Sequence, residues 1–222
     1  MAQAIRSSSQ VGGNTGTSLV INLPAGVVNG DVLVLSIFSD ALVSFGAPAG
    51  WTVLRDISAG GGTQYQLLCK VAAGEPASYT LTAPSGPHSC AVMLAISGAQ
   101  LVLDGETSRN NPTAINNIPG DPVTTTKTGQ IVIWIATRPS IATAGNIQSP
   151  TSQVQQQRVN TGGSAVTGQM SMAAAAFGAP GTTTGSFHTG SFSASQTSRS
   201  NVSVLTFQDF VASNVPLLFC EA

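Results

Sequence analysis

Gly30-Asp-Val-Leu-Val-Leu-Ser-Ile-Phe-Ser-Asp40 is the stretch on which the fold turns. Apolar residues do not alternate with polar ones here: Val32–Phe38 is apolar on both faces of an extended chain. The run is far short of the roughly 20 residues that a membrane helix needs. Turn-forming residues bound it, so it reads as a buried β-strand. In a two-sheet sandwich the outer face of a strand is normally wet and polar. Covering both faces therefore takes a loop, a terminal arm or a neighbouring subunit, unless the strand is simply internal. Ile131–Ala136 poses the same question.

Working outward, Ser18–Leu23, Trp51–Ile57, Gln64–Val71, Ser78–Ala83 and Cys90–Ser97 read as further strands between clusters of Gly, Pro, Asn and Ser. That spacing marks a sandwich or barrel. Within Gln64–Val71, Tyr65, Leu67, Cys69 and Val71 share one face, and Gln64, Gln66 and Lys70 the other. No segment sustains a helical period. Gln169–Phe177 comes nearest, since Ala is the best helix former. It is short, it stops at Gly178 and Pro180, and its Met-Ser-Met alternation reads as strand.

The chain also restates itself. Gly30-DVLVLSIFSD matches Gly129-QIVIWIATRP, and Ala49-GWTVLRD matches Thr151-SQVQQQR. Ala73-GEPASYTLTAPSG matches Ala179-PGTTTGSFHTGSF, and Ala91-VMLAISG matches Val202-SVLTFQD. The order is the same throughout, and the offset widens as unequal loop insertions make it do. The expected fold is thus all-β: an antiparallel two-sheet sandwich, jelly-roll-like, built from two sequence-similar halves. Residues 18–210 are expected to form the sandwich, with halves at about 18–104 and 118–210. Residues 1–17 read as an N-terminal arm and 211–222 as a C-terminal tail. The tail's apolar run, Val215-Pro-Leu-Leu-Phe-Cys220, has no counterpart after the first half; it is expected to cap its own sheet or reach across to a neighbour.

Charge is scarce. Lys and Arg number 8 and Asp and Glu 9, which is 8 % of 222 residues, for a net charge of −1. An ordinary soluble domain carries roughly 25 %. Such a surface has little electrostatic self-repulsion and tends to associate. Without a basic patch or a polybasic segment, neither nucleic acid nor an anionic membrane is an expected partner. The opening MAQAIRSSSQVGG has no apolar signal core, so synthesis and folding in a cytoplasm are expected. Cys69, Cys90 and Cys220 form no CxxC and leave an odd count, as reduced, half-buried residues do.

Chemistry is hard to find. His88 and His188 lie in loops about 100 residues apart and offer no ligand spacing for zinc. Asp104-Gly-Glu106 is the one close acidic pair, and calcium needs six to eight oxygens, so a solvated loop is expected. Gly60-Gly61-Gly62 reads as a hairpin turn because no helix follows to hold a phosphate. Nucleophile-elbow and P-loop patterns are lacking. Trp51 and Trp134 are suited to stacking on sugars but read as core. Asn201-Val-Ser203 fits a glycosylation pattern that carries no meaning without a secretory route. No catalytic, cofactor-binding or metal residue is assigned, no cofactor is expected, and the chain does not read as an enzyme.

Four motifs in order carry a resemblance: Gly30-Asp-Val-Leu-Val, Pro48-Ala-Gly-Trp-Thr-Val-Leu, Val71-Ala-Ala-Gly-Glu-Pro-Ala-Ser-Tyr-Thr-Leu and Ala95-Ile-Ser-Gly. They resemble a duplicated β-sandwich module of tailed-bacteriophage virion proteins, over roughly residues 18–210. In the second half Gly129-Gln130 replaces Gly-Asp and the Gly-Trp pair is missing. The resemblance implies a virion structural protein, foremost a capsid decoration (cement) protein. Such a protein forms a homo-oligomer, a trimer being favoured, on the outer capsid surface and braces the major capsid protein. The alternative it implies is a tail-fibre or adhesin module that binds a host surface glycan.

Overall fold

In the computed structural model, residues 2–60, 62–115, 117–138, 147–160, 169–192 and 198–210 are described. The first part of the chain forms β1 (Ala4–Asn14), β2 (Ser18–Asn22), β3 (Val32–Ser39), β4 (Thr52–Gly60), β5 (Thr63–Val71), β6 (Ser78–Thr82) and β7 (Ser89–Ser97). The second forms β8 (Ala99–Ile115), β9 (Asn117–Pro119), β10 (Thr124–Thr125), β11 (Ile131–Arg138), β12 (Ile147–Gln148) and β13 (Val154–Asn160). It closes with β14 (Gln169–Ala176), β15 (Gly181–Thr182), the single helical turn α1 (Gly185–His188), β16 (Thr189–Phe192) and β17 (Ser198–Asp209). Every pairing between them is antiparallel.

Two five-stranded sheets dominate, ordered β1-β7-β3-β5-β4 and β8-β17-β11-β14-β13. Their facing sides interdigitate in one apolar layer. Val32, Val34 and Phe38 of β3, with Tyr65, Leu67 and Val92, meet Ile131, Ile133 and Ile135 of β11, with Met170, Met172 and Leu205. Burying each such side chain is worth about 1.5–3 kcal/mol gross, so this layer joins the two sheets into one body. The chain fills the first sheet and then crosses to the second at Gly98, whose φ of +72° makes the sharp turn that a side chain resists. One jelly roll wrapped over both sheets would alternate between them instead.

The two strand orders match place by place, with β3 and β11 in the centre and β4 and β13 at an edge. Three of the four repeated sequence pairs fall on β3 and β11, β4 and β13, and β7 and β17. The fourth does not fall strand on strand: it sets β6 against Thr184 and the helical turn α1.

Both faces of the central strands are covered by this chain itself. On β3, Leu33, Leu35 and Ile37 point away from the shared layer and pack under the ribbon β2-β6, against Leu19, Ile21, Tyr79 and Leu81. On β11, Val132, Trp134 and Ala136 pack under Ile118, Val123 and Ile147. Those come from the small sheet β9-β16-β12 and the segment leading into the ribbon β10-β15. The molecule is thus two large sheets with a thinner layer outside each. The doubly apolar strands need no neighbouring subunit, which removes one sequence argument for association.

The stretch that reads as an arm, residues 1–17, contains β1, which pairs with β7 over most of its length. It is a working edge of the first sheet. Ahead of it, Gln3 donates from Nε2 to Phe207 O at 2.6 Å and accepts at Oε1 from Ile131 N at 2.8 Å. Both partners belong to the second sheet, so this buried amide ties the chain's start across the sandwich. Cross-sheet bonds also join the two flanks. Gln157 Nε2 donates to Ser8 Oγ at 2.9 Å on one side, and Arg55 pairs in bidentate fashion with Glu106 on the other. The tail, 211–222, lies outside the described residues.

Candidate functional site

The residues singled out for chemistry are spent on structure. His88 Nδ1 lies 2.8 Å from Asp40 Oδ2, and its backbone N donates to Asp40 Oδ1 at 2.9 Å. Asp40 N returns a bond to His88 O, so the pair closes the loops at one end of β3 and β7. His188 Nδ1 is 3.0 Å from Gly120 O, at the end of α1. Asp104 accepts from the N and Oγ1 of Thr126, while Glu106 pairs with Arg55. The two acids thus serve different partners. Among the described residues no three His, Cys, Asp or Glu side chains are grouped to hold a metal.

Both tryptophans are buried. Trp134 is fully enclosed on the outer face of β11. Trp51 meets Tyr79 edge-on, with ring centroids 5.4 Å apart. Lys70 Nζ stands 6.0 Å from the Trp51 centroid and 5.8 Å from that of Tyr79. It also lies 2.8 Å from Glu75 Oε1. The ammonium is a cation–π partner to both rings. Gly62, at φ +81°, sits in the β4–β5 hairpin. Asn201 is buried, so its glycosylation pattern has no accessible acceptor.

Burial raises the pKa of three groups. Cys69 is raised from 9.0 to about 11 by desolvation. Cys90 is raised further, first by burial and then by the charge of Asp40. The Tyr65 phenol is also raised, chiefly by burial, with Ser203 and Ser36 beside it easing the effect. In each case the fold disfavours the anion, so the native chain keeps a proton that the unfolded chain has already lost. These groups cost nothing below about pH 9 and remove about 1.4 kcal/mol of stability per pH unit each as pH rises through their unfolded values. Urea unfolding should therefore show a falling midpoint between about pH 9 and pH 11. A chain carrying Cys69→Ala and Cys90→Ala should fall less steeply; an equal fall would show that the thiols are not responsible.

One open depression occupies an end of the molecule, with a volume of about 270 Å³. Arg6, Asp31, Val28, Ser97, Gly98, Ala99 and Phe210 are among its lining residues. Asp31 is its buried anchor. Its carboxylate accepts from Arg6 Nε at 2.6 Å, from Arg6 Nη2 at 3.0 Å and from Val28 N at 3.0 Å. The walls keep apolar surface in water: Val28 is 52 % and Phe210 42 % exposed.

Sequence reasoning did not find this place. Gly30-Asp31 ahead of a buried strand was visible as a turn, and an Asp there naturally accepts from the backbone N–H of that turn. Its cationic partner was hidden, because Arg6 reaches it only through a strand that the polar stretch Ser7-Ser-Ser-Gln10 does not announce.

No family model matches the chain, and neither curated proteins nor solved structures give a match.

Proposed function

We propose that this chain is a non-catalytic assembly protein of a tailed-phage particle, a decoration protein that associates with copies of itself and braces the outer capsid. The observation that carries the reading is the scarcity of charge, 8 % of residues, on a body whose own layers already close its core. What remains outside is largely Ser, Thr, Asn, Gln and Gly. These groups exchange hydrogen bonds with water for hydrogen bonds with another protein without stripping ions of their hydration. Bonds across both flanks give such a surface a rigid base, which lowers the ordering cost of a contact. The resemblance of four motifs, in order, to those of phage virion sandwiches supports the same reading.

A glycan-binding tip is the less supported reading. It calls for exposed aromatic platforms, and both tryptophans are enclosed.

Cohesion on a shell comes from repetition. Apolar burial contributes about 25 cal/mol per Å² gross, association subtracts several kcal/mol, and many modest contacts on a closed lattice act together. Particles carrying the protein should survive heat and osmotic shock better than particles lacking it. Binding should change little with salt, because few ion pairs are available. Equal survival of the two kinds of particle, or a steep loss of binding between low and moderate salt, would reject the role.

A further inference from the structure

We propose that the layer shared by the two large sheets holds a structural water site at one end, centred on Asn201, whatever the protein's role in assembly. Polar side chains gather there, although the rest of the layer is apolar. On β17, Asn201 and Ser203 lie on the same face as Leu205 and Phe207, which belong to that layer. Thr137 of β11 continues the face of Ile133 and Ile135 and stands opposite Asn201. Met170 of β14 flanks Thr137 on its other side. From the first sheet, Tyr65 brings its phenol beside Ser203 and Ser36. Ser36 Oγ in turn reaches Met170 Sδ at 2.8 Å. Strands of both sheets thus converge on one polar spot.

The groups at this spot are enclosed and unpaired. Tyr65, Thr137, Asn201 and Ser203 are each at most 1 % exposed. Yet Tyr65 Oη, Thr137 Oγ1, Ser203 Oγ and both Nδ2 and Oδ1 of Asn201 have no hydrogen-bond partner among the described residues. Native interiors pair nearly all such groups, because each one left bare costs its full desolvation. The amide of Asn201 alone can donate twice and accept twice, and each hydroxyl can do both.

Water meets these needs. A buried water molecule takes two to four polar partners, and this cluster offers five such atoms. A neutral ligand is the right kind, since Arg55 and Glu106, the charges felt at Tyr65, are paired with each other. Water also has a polar route inward. The row Met170, Thr137, Asn201 continues to Asn110 on the edge strand β8, and Asn110 is exposed.

Thr137→Val separates a wet site from a dry one, since valine has nearly the shape of threonine without its hydroxyl. Losing an unpaired hydroxyl would raise the folding constant. Losing one that is bonded to water should lower it about fivefold, as read by urea unfolding. Ser203→Ala should act in the same direction and gives a second reading. A crystal structure of the whole chain should show ordered water within about 3 Å of the Asn201 amide and of Thr137 Oγ1. A protein side chain in that place, no ordered water there, or a Thr137→Val chain as stable as its parent or more so would each overturn the proposal.

Discussion

Trp134→Ala should lower stability by about 3–5 kcal/mol, the range for truncating a large aromatic in a packed core. Trp134 is wholly buried between β11 and the thin outer layer. The backbone of β16 lies against its ring, so closely that a Cβ on Gly190 would stand 2.6 Å from Cζ2. The layer above is built from strands of two to four residues, which have little holding them besides this ring and its neighbours. Removing it leaves a cavity under strands too short to collapse in an orderly way. Trp134→Phe should cost much less. It keeps most of the ring and removes an indole N–H that has no hydrogen-bond partner, a group whose burial costs about 1–3 kcal/mol. Urea unfolding followed by circular dichroism measures both. A small loss for the alanine variant would show that the outer layer is not held by Trp134.

Gly98→Ala should be nearly as damaging, at about 3 kcal/mol or more, for a different reason. Its φ of +72° alone costs a non-glycine residue about 1–2 kcal/mol. An added Cβ would also stand 2.4 Å from Ala2 O, a backbone atom. Relief requires residues 2 and 3 to withdraw, which pulls Gln3 from Phe207 O and Ile131 N. Gly26→Ala is the control, since its φ is +71° and nothing lies within 4 Å of the new Cβ. That variant should lose only the conformational cost of about 1–2 kcal/mol. If the two alanines cost the same, the collision at Gly98 is not real, and the start of the chain is not clamped across the sheets. Deleting residues 1–3 in the Gly98→Ala background should recover part of the loss by the same logic.

How far the sequence was legible follows from how each strand meets water. Strands buried on both faces, such as β3 and β11, announce themselves by length and by their bounding turns. Gln169–Ala176 reads as strand despite its alanines, because Met170 and Met172 must point the same way into the shared layer. Val71, placed by alternation on the buried face of β5, is 42 % exposed, because it stands at the strand's end. Gln66, placed on the polar face, is buried under the outer layer and satisfied there by both the N–H and the carbonyl of Phe45. Period-two patterning gives the face of a residue, not whether a second layer lies above it.

The ribbon over the first sheet was legible, since β2 and β6 lie within Ser18–Leu23 and Ser78–Ala83, but the thin layer over the second sheet was not. Strands such as Thr124–Thr125 or Ile147–Gln148 are too short to carry a period. Their place is set by the apolar surface beneath them. β1 was missed because none of its residues is fully buried, as befits a flanking strand whose polar groups bond sideways to neighbours. The depression at Arg6 arises where four segments meet: the start of β1, the turn before β3, the β7–β8 turn at Gly98 and the end of β17. A site assembled from ends that are distant in sequence leaves no spacing to read.

The reading that matters most is that a charge-poor exterior exists to meet protein. Sedimentation of the purified chain over a wide range of concentration, repeated from low to molar salt, tests it most directly. The account predicts a species at a multiple of the 22.4 kDa chain mass, three being favoured, whose proportion scarcely responds to salt. A lone chain at every concentration, or an assembly that dissolves as salt rises, would contradict it.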